Sequence, residues 1–166
     1  MRSLNRDRVL LRTPLTSYRA MAHPSCPPDV ERFIHEALAK RKPSLMHFAT
    51  ISRSVAEMAK YLKRHCNASH ATLYFYVWAV QQYCKWCTAD PDQLINERFT
   101  DEGLPNQKAL LLEARRLDDY IGAFQSEGYS PGHITNCVKA VKTFFRINGL
   151  RLEPPLQAQK IHDKQG

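Results

Sequence analysis

Apolar residues recur along this chain at steps of three and four, the period of an amphipathic helix, and no stretch alternates with the period of two that a half-buried strand requires. Val30, Phe33, Ile34, Ala37 and Leu38 predict a first helix that starts at Asp29 and ends in Lys40-Arg41-Lys42, with Pro43 as its stop. Ser54 and Glu57 have the spacing of a capping box and open a second helix, with Val55, Met58, Leu62 and Cys66 inward and Lys60, Lys63 and Arg64 outward. Asn67 breaks the pattern. Ser69 caps a third helix whose stripe is Leu73, Tyr76, Val80, Tyr83 and Cys87.

A short helix follows Asp90-Pro91 and carries Leu94, Ile95 and Phe99. After the loop Gly103-Leu104-Pro105, the residues Leu110, Ala114, Leu117, Ile121 and Phe124 predict a long helix closed by Gly128. Ser130-Pro131 opens the last helix, with Ile134, Val138, Val141 and Phe145 buried and Asn148-Gly149 at its end. The chain therefore reads as all-α. Residues 1–28 form a basic, mostly disordered arm, 29–66 a helical extension of two helices, 67–151 a four-helix bundle, and 152–166 a polar tail or linker.

Charge sharpens this division. The formal net charge of +8 is spread as +8 over residues 1–66, −4 over 67–127 and +4 over 128–166. Basic ends around an acidic middle point to a polyanionic partner, with the acidic helices turned away from it. Lys139, Lys142 and Arg146 fall at helical spacing on the last helix, which has no acidic residue, and Arg151 follows. No apolar run approaches the roughly 20 residues of a membrane span. Met1 to Arg12 is basic but is followed by no clean apolar stretch and cleavage site, which argues against secretion. The five cysteines, odd in number and widely spaced, suit a reducing, cytoplasmic interior.

The block from Ser69 to Gly149 resembles the core-binding domain of tyrosine recombinases, the phage-type integrases. The resemblance rests on Ser69, Thr72, Leu73, Tyr76, Val80, Tyr83 and Trp86 in the opening helix. It continues in Asp90-Pro91-Asp92-Gln93-Leu94, in the long helix with its glycine turn before Ser130, and in the aromatic pair Phe144-Phe145. His133 stands where the family often has Thr, and Pro154-Pro155 where it often has Asn-Pro.

The resemblance implies an orthogonal four-helix bundle whose first and last helices lie against the major groove of double-stranded DNA. It implies contacts from Ser130, Gly132, His133, Lys139, Lys142, Arg146 and Arg151. It also implies work beside a catalytic domain or other recombinase protomers, in DNA recombination and integration, on a nucleoid-associated cytoplasmic protein. The family's nucleophile lies in a second domain. No His-x-x-Arg occurs here and only 17 residues follow Gly149, so this chain is expected to bind without cutting and to be no enzyme.

Two other readings compete. One is a helical protein–protein adaptor with solvated basic faces, which outward apolar residues on the helices of 29–66 would support. The other is a small zinc-stabilised regulator using Cys84 and Cys87, with Cys66 and His70 completing the set. Cys84 and Cys87 continue a helical stripe beside Trp86, so they read as core, and no metal or cofactor is expected. In the aromatic run Tyr74-Phe75-Tyr76-Val77-Trp78, Tyr74 and Trp78 point outward if Tyr76 points inward, and are expected to pack on the preceding helices or a partner domain, with stacking on bases as the alternative use.

Overall fold

The computed structural model describes residues 26–153, and these are all-helical, with one isolated bridge between Phe99 and Pro105 outside the helices. The elements are α1 (Pro28–Leu38), α2 (Pro43–Ile51), α3 (Arg53–Cys66), α4 (His70–Cys87), α5 (Pro91–Asn96), α6 (Gln107–Ser126) and α7 (Pro131–Ile147). Most of the expected basic arm lies outside the described residues. Its last three residues do not behave as an arm: Cys26 is half-buried against the core and Pro28 begins α1.

The extension differs from the sequence expectation in one element. Pro43 does not merely stop α1, which ends at Leu38. It occupies the first position of α2, where its missing N–H costs nothing, so the described residues before Asn67 form three helices where the extension was expected to have two. The cap of α3 also shifts. Ser52 is the N-cap and accepts from the Val55 N–H at 3.5 Å, while Ser54 lies inside the helix and turns its hydroxyl to Asp92 of α5. Val55, Met58 and Leu62 are buried as expected, but Cys66 is exposed at the helix end. Asn67 reverses the chain at φ 45°, a left-handed conformation that asparagine tolerates well.

Ser69, Asp90 and Ser130 cap α4, α5 and α7 through their side-chain oxygens. Gly128 and Gly149 take φ of 85° and 88° just beyond α6 and α7, the geometry that glycine supplies without strain. α4 packs against α7, α1, α2, α3 and α5. That central position explains why its buried set is wider than one stripe. Val77, Ala79, Gln81 and Cys84 are buried beside Leu73, Val80 and Tyr83, whereas Tyr76 and Cys87 are half-buried.

One hydrophobic core runs through the whole described chain, from Val30 and Leu45 through Met58 and Tyr83 to Phe144, Phe145, Leu150 and Leu152. The helices before and after Asn67 thus share a core. Leu152, the first residue of the expected tail, belongs to it as well.

Among these apolar residues sits one carboxylate. Glu113 of α6 is 1% exposed, accepts from the Tyr83 hydroxyl, and pairs with Arg98 at 2.6 Å and Arg116 at 2.5 Å. Burial alone would raise its pKa, but the donors Arg116, Tyr83 and Arg98 outweigh that and hold the carboxyl below its usual range. The same burial, with the Glu113 charge beside it, pushes the Tyr83 hydroxyl far up, so Tyr83 acts here as a neutral donor.

A candidate nucleic-acid interface on the last helix

Ser130 opens α7 by accepting from the His133 N–H at 3.2 Å, and Pro131 fills the first helical position. Ile134, Cys137, Ala140, Val141, Phe144 and Phe145 turn inward, Thr143 is buried with them, and Val138 is half-buried. That burial leaves Lys139 and Arg146 exposed and Lys142 half-buried on the outer side. The missing acidic residue on this helix has a structural consequence. Among the described residues no carboxylate comes within ion-pair distance of Lys139, Lys142 or Arg146, whereas Lys60, Arg64, Arg98 and Arg116 are all paired.

Lys139, Thr143 and Arg146, at steps of four and three, line two grooves in common, with Lys139 and Arg146 exposed and Thr143 buried between them. One groove, about 460 Å³, is lined by Thr135, Val138, Lys142, Arg151 and Leu152 together with those three. The other, about 410 Å³, is lined by them, the end of α3 and the start of α4, and includes Tyr61, Cys66, Thr72 and Tyr76. Neither lining contains a carboxylate. Arg151 pairs loosely with Glu153 at 3.4 Å, both well exposed, a contact worth little in water. Arg146 lies over the Tyr61 ring, 5.4 Å from its centre.

The sequence-expected site residues therefore divide. Lys139, Lys142, Arg146 and Arg151 come together around the grooves. Ser130, Gly132 and His133 sit at the helix start and line neither. The Ser130 hydroxyl is committed to its cap. The His133 ring is half-buried among aromatics, stacked on Tyr129 at 5.1 Å and packed near Trp78, Phe124 and Phe75. Its Nε2 lies 3.6 Å from the Cys137 sulfur.

Tyr61, Thr72 and Tyr76 are lining residues that the sequence reading did not assign to a site. The signal for Tyr61 is its place one turn before the end of a helix that packs on α7. The acidic middle is also not wholly remote, since Asp118 of α6 shares a narrow crevice with Lys142 and Leu152.

The cysteine pair is placed apart from any such surface. Cys84 is buried, and burial, with the neighbouring Cys87, Asp90 and Glu113 adding to it, pushes its thiol up to about 12. Cys87 is half-buried and its thiol is also raised by burial. His70, at the opposite end of α4, is about 21 Å from Cys84 at 1.5 Å of rise per residue. It lies instead 3.5 Å from Glu36, against the Phe33 ring. The four residues considered as a zinc set do not converge, and no other cluster of three His, Cys, Asp or Glu suited to a metal occurs among the described residues. Tyr74 is half-buried with Arg41, from the α1–α2 connection, over its ring at 5.8 Å, and Trp78 packs beside Phe75 and His133.

No helix among the described residues is long and apolar enough to cross a membrane. Compared with protein-family models, curated proteins and solved structures, the chain matches none.

Proposed function

We propose that this protein binds double-stranded DNA as a core-binding-type module, with α4 to α7 as an orthogonal four-helix bundle and α1 to α3 as a layer added to it. The observation that carries this reading is the set of unpaired cations on α7, Lys139, Lys142 and Arg146, flanked by two grooves whose linings hold no carboxylate. Phosphate oxygens are the natural counter-charge for such a surface, and a helix is the element that fits the major groove. As in the tyrosine recombinases it resembles, the module would hold one side of a duplex for recombination or integration. Strand cutting would fall to a separate catalytic domain, with other protomers as further partners, in a nucleoid-associated cytoplasmic setting. No residue of this chain is assigned a catalytic role.

The deciding experiment is titration of the full chain with labelled duplex at several salt concentrations. Each phosphate contact should contribute about 0.9 to the slope of log K against log salt. A slope near zero would remove the nucleic-acid reading in favour of a helical protein–protein adaptor. That second reading has its own observation: Leu104, Leu111 and Leu112, at the start of α6 and just before it, are exposed at 63%, 47% and 55%. On α1 to α3, where the adaptor reading looked for outward apolar residues, Ile51 is the large one exposed.

A further inference from the structure

We infer that α3 supplies the second wall of the DNA interface, with Tyr61 as the positioning residue for Arg146 and the groove between α3, α4 and α7 as the seat of one of the two phosphodiester strands that border the major groove. This rests on the DNA-binding reading and names how that same site is built. A helix with its side chains is about 10–12 Å across, close to the width of the major groove, so a helix presented there has one sugar–phosphate strand along each flank. Two grooves, of about 460 Å³ and 410 Å³, meet at Lys139, Thr143 and Arg146 of α7, which line both. The two are chemically distinct. Lys142 and Arg151 face only the first. Tyr61, Cys66, Thr72 and Tyr76 face only the second.

In the second groove the cations, Lys139 and Arg146, come from α7 alone, and Arg146 is in contact with α3. The Arg146 guanidinium rests on the Tyr61 ring, 5.4 Å from its centre, which keeps the charge beside the groove. Tyr61 in turn lies against the His65 ring at 5.3 Å. Thr72 of α4, half-buried with its hydroxyl 3.1 Å from that of Ser69, lines the same groove, and a phosphate oxygen there would accept from this hydroxyl pair.

The test uses the full chain, a labelled duplex and the salt slope. Tyr61→Leu removes the ring and should weaken binding about three- to fivefold, with the slope falling by up to about one, while Tyr61→Phe restores both. Cys66 is exposed on the wall of the second groove, so Cys66→Glu tests the strand path without disturbing the core. It should weaken binding several-fold at low salt and less at high salt, and Cys66→Gln should not. If Lys142→Ala and Arg151→Ala weaken binding while Tyr61→Leu and Cys66→Glu leave affinity and slope unchanged, the interface is confined to the first groove and the inference is overturned with DNA binding intact. If none of the variants matters although wild type binds, the face lies off α7 and the inference is overturned with it; only a wild-type chain whose binding has no salt slope removes the DNA reading itself.

Discussion

Asp92, in the first turn of α5, caps the first turn of α3 through Ser54, 38 residues away in sequence. Its Oδ1 accepts from the Ser54 N–H at 2.8 Å and from the Ser54 hydroxyl at 2.6 Å. The same carboxylate accepts from the Ser52 hydroxyl at 3.0 Å and the Arg53 N–H at 3.2 Å. Free N–H groups at a helix start carry partial positive charge, so a carboxylate there is both capping and charge-compensating. From the other side, Asn148 beyond α7 donates to the Ser54 carbonyl at 3.1 Å.

Asp92→Ala should cost about 2–3 kcal/mol, since hydrogen bonds to a charged acceptor are the stronger kind. Burial raises the Asp92 pKa, but hydrogen bonds from Ser54, Ser52 and Arg53 more than offset it, and the carboxyl lies below its ordinary value. A carboxyl depressed on folding contributes stability that is present above its unfolded value, about 3.9, and lost as pH falls through the lower folded value. Denaturant unfolding of wild type should weaken below about pH 4, and Asp92→Asn should flatten that dependence. An unchanged pH profile in the variant would show that the clasp contributes nothing.

Glu113→Ala should destabilise by about 3–5 kcal/mol, because it leaves the Tyr83 hydroxyl buried without its acceptor and Arg98, largely buried, with only the exposed Glu97 at 3.3 Å. Arg116→Ala should cost less, since the Arg116 side chain is 34% exposed and that of Arg98 only 11%. Thermal melts of the two variants would check this order, and a larger loss for Arg116→Ala would refute it.

Replacing Lys139, Lys142 and Arg146 together by alanine should change stability by less than about 1 kcal/mol, the main losses being the half-buried Lys142 stem and the Arg146–Tyr61 contact. DNA binding should weaken on every sequence, with the salt slope lower by about one per lost phosphate contact. A folded triple variant with unchanged affinity and slope would place the binding face elsewhere.

Phe145→Ala should cost roughly 3–5 kcal/mol by leaving a cavity at a fully buried position. Its effect on DNA binding should vanish at temperatures where the variant is folded. Urea midpoints paired with binding at low temperature separate these effects.

Much of the fold is legible from the chain alone because local chemistry and tertiary structure agree. Ser69, Asp90 and Ser130 cap where their spacing says they should, and Gly128 and Gly149 end helices because those turns need positive φ. α2 is not legible: Pro43 can stop one helix or start the next, and Ser44-Leu45-Met46-His47-Phe48 has no clear polar face to decide it. Glu113 does carry a signal in the sequence. It stands three residues after Leu110 and four before Leu117, directly on the buried stripe of α6, so a partnered carboxylate was implied. The Asp92 clasp and the Tyr61–Arg146 contact join residues far apart in sequence, and periodicity carries no information about such pairs.

The core that runs unbroken past Asn67 makes the boundary there one of sequence rather than of folding. A fragment cut to begin at Ser69 would keep α4 to α7 yet expose the sides of α4 that α1, α2 and α3 cover. It would also lose the Ser54 carbonyl that receives Asn148. Such a fragment would inherit an adhesive surface in place of half its interior, and with it a tendency to associate. The helices before Asn67 are here part of the keel on which α4 rests, and the segment after Asn67 is not the portion that stands alone.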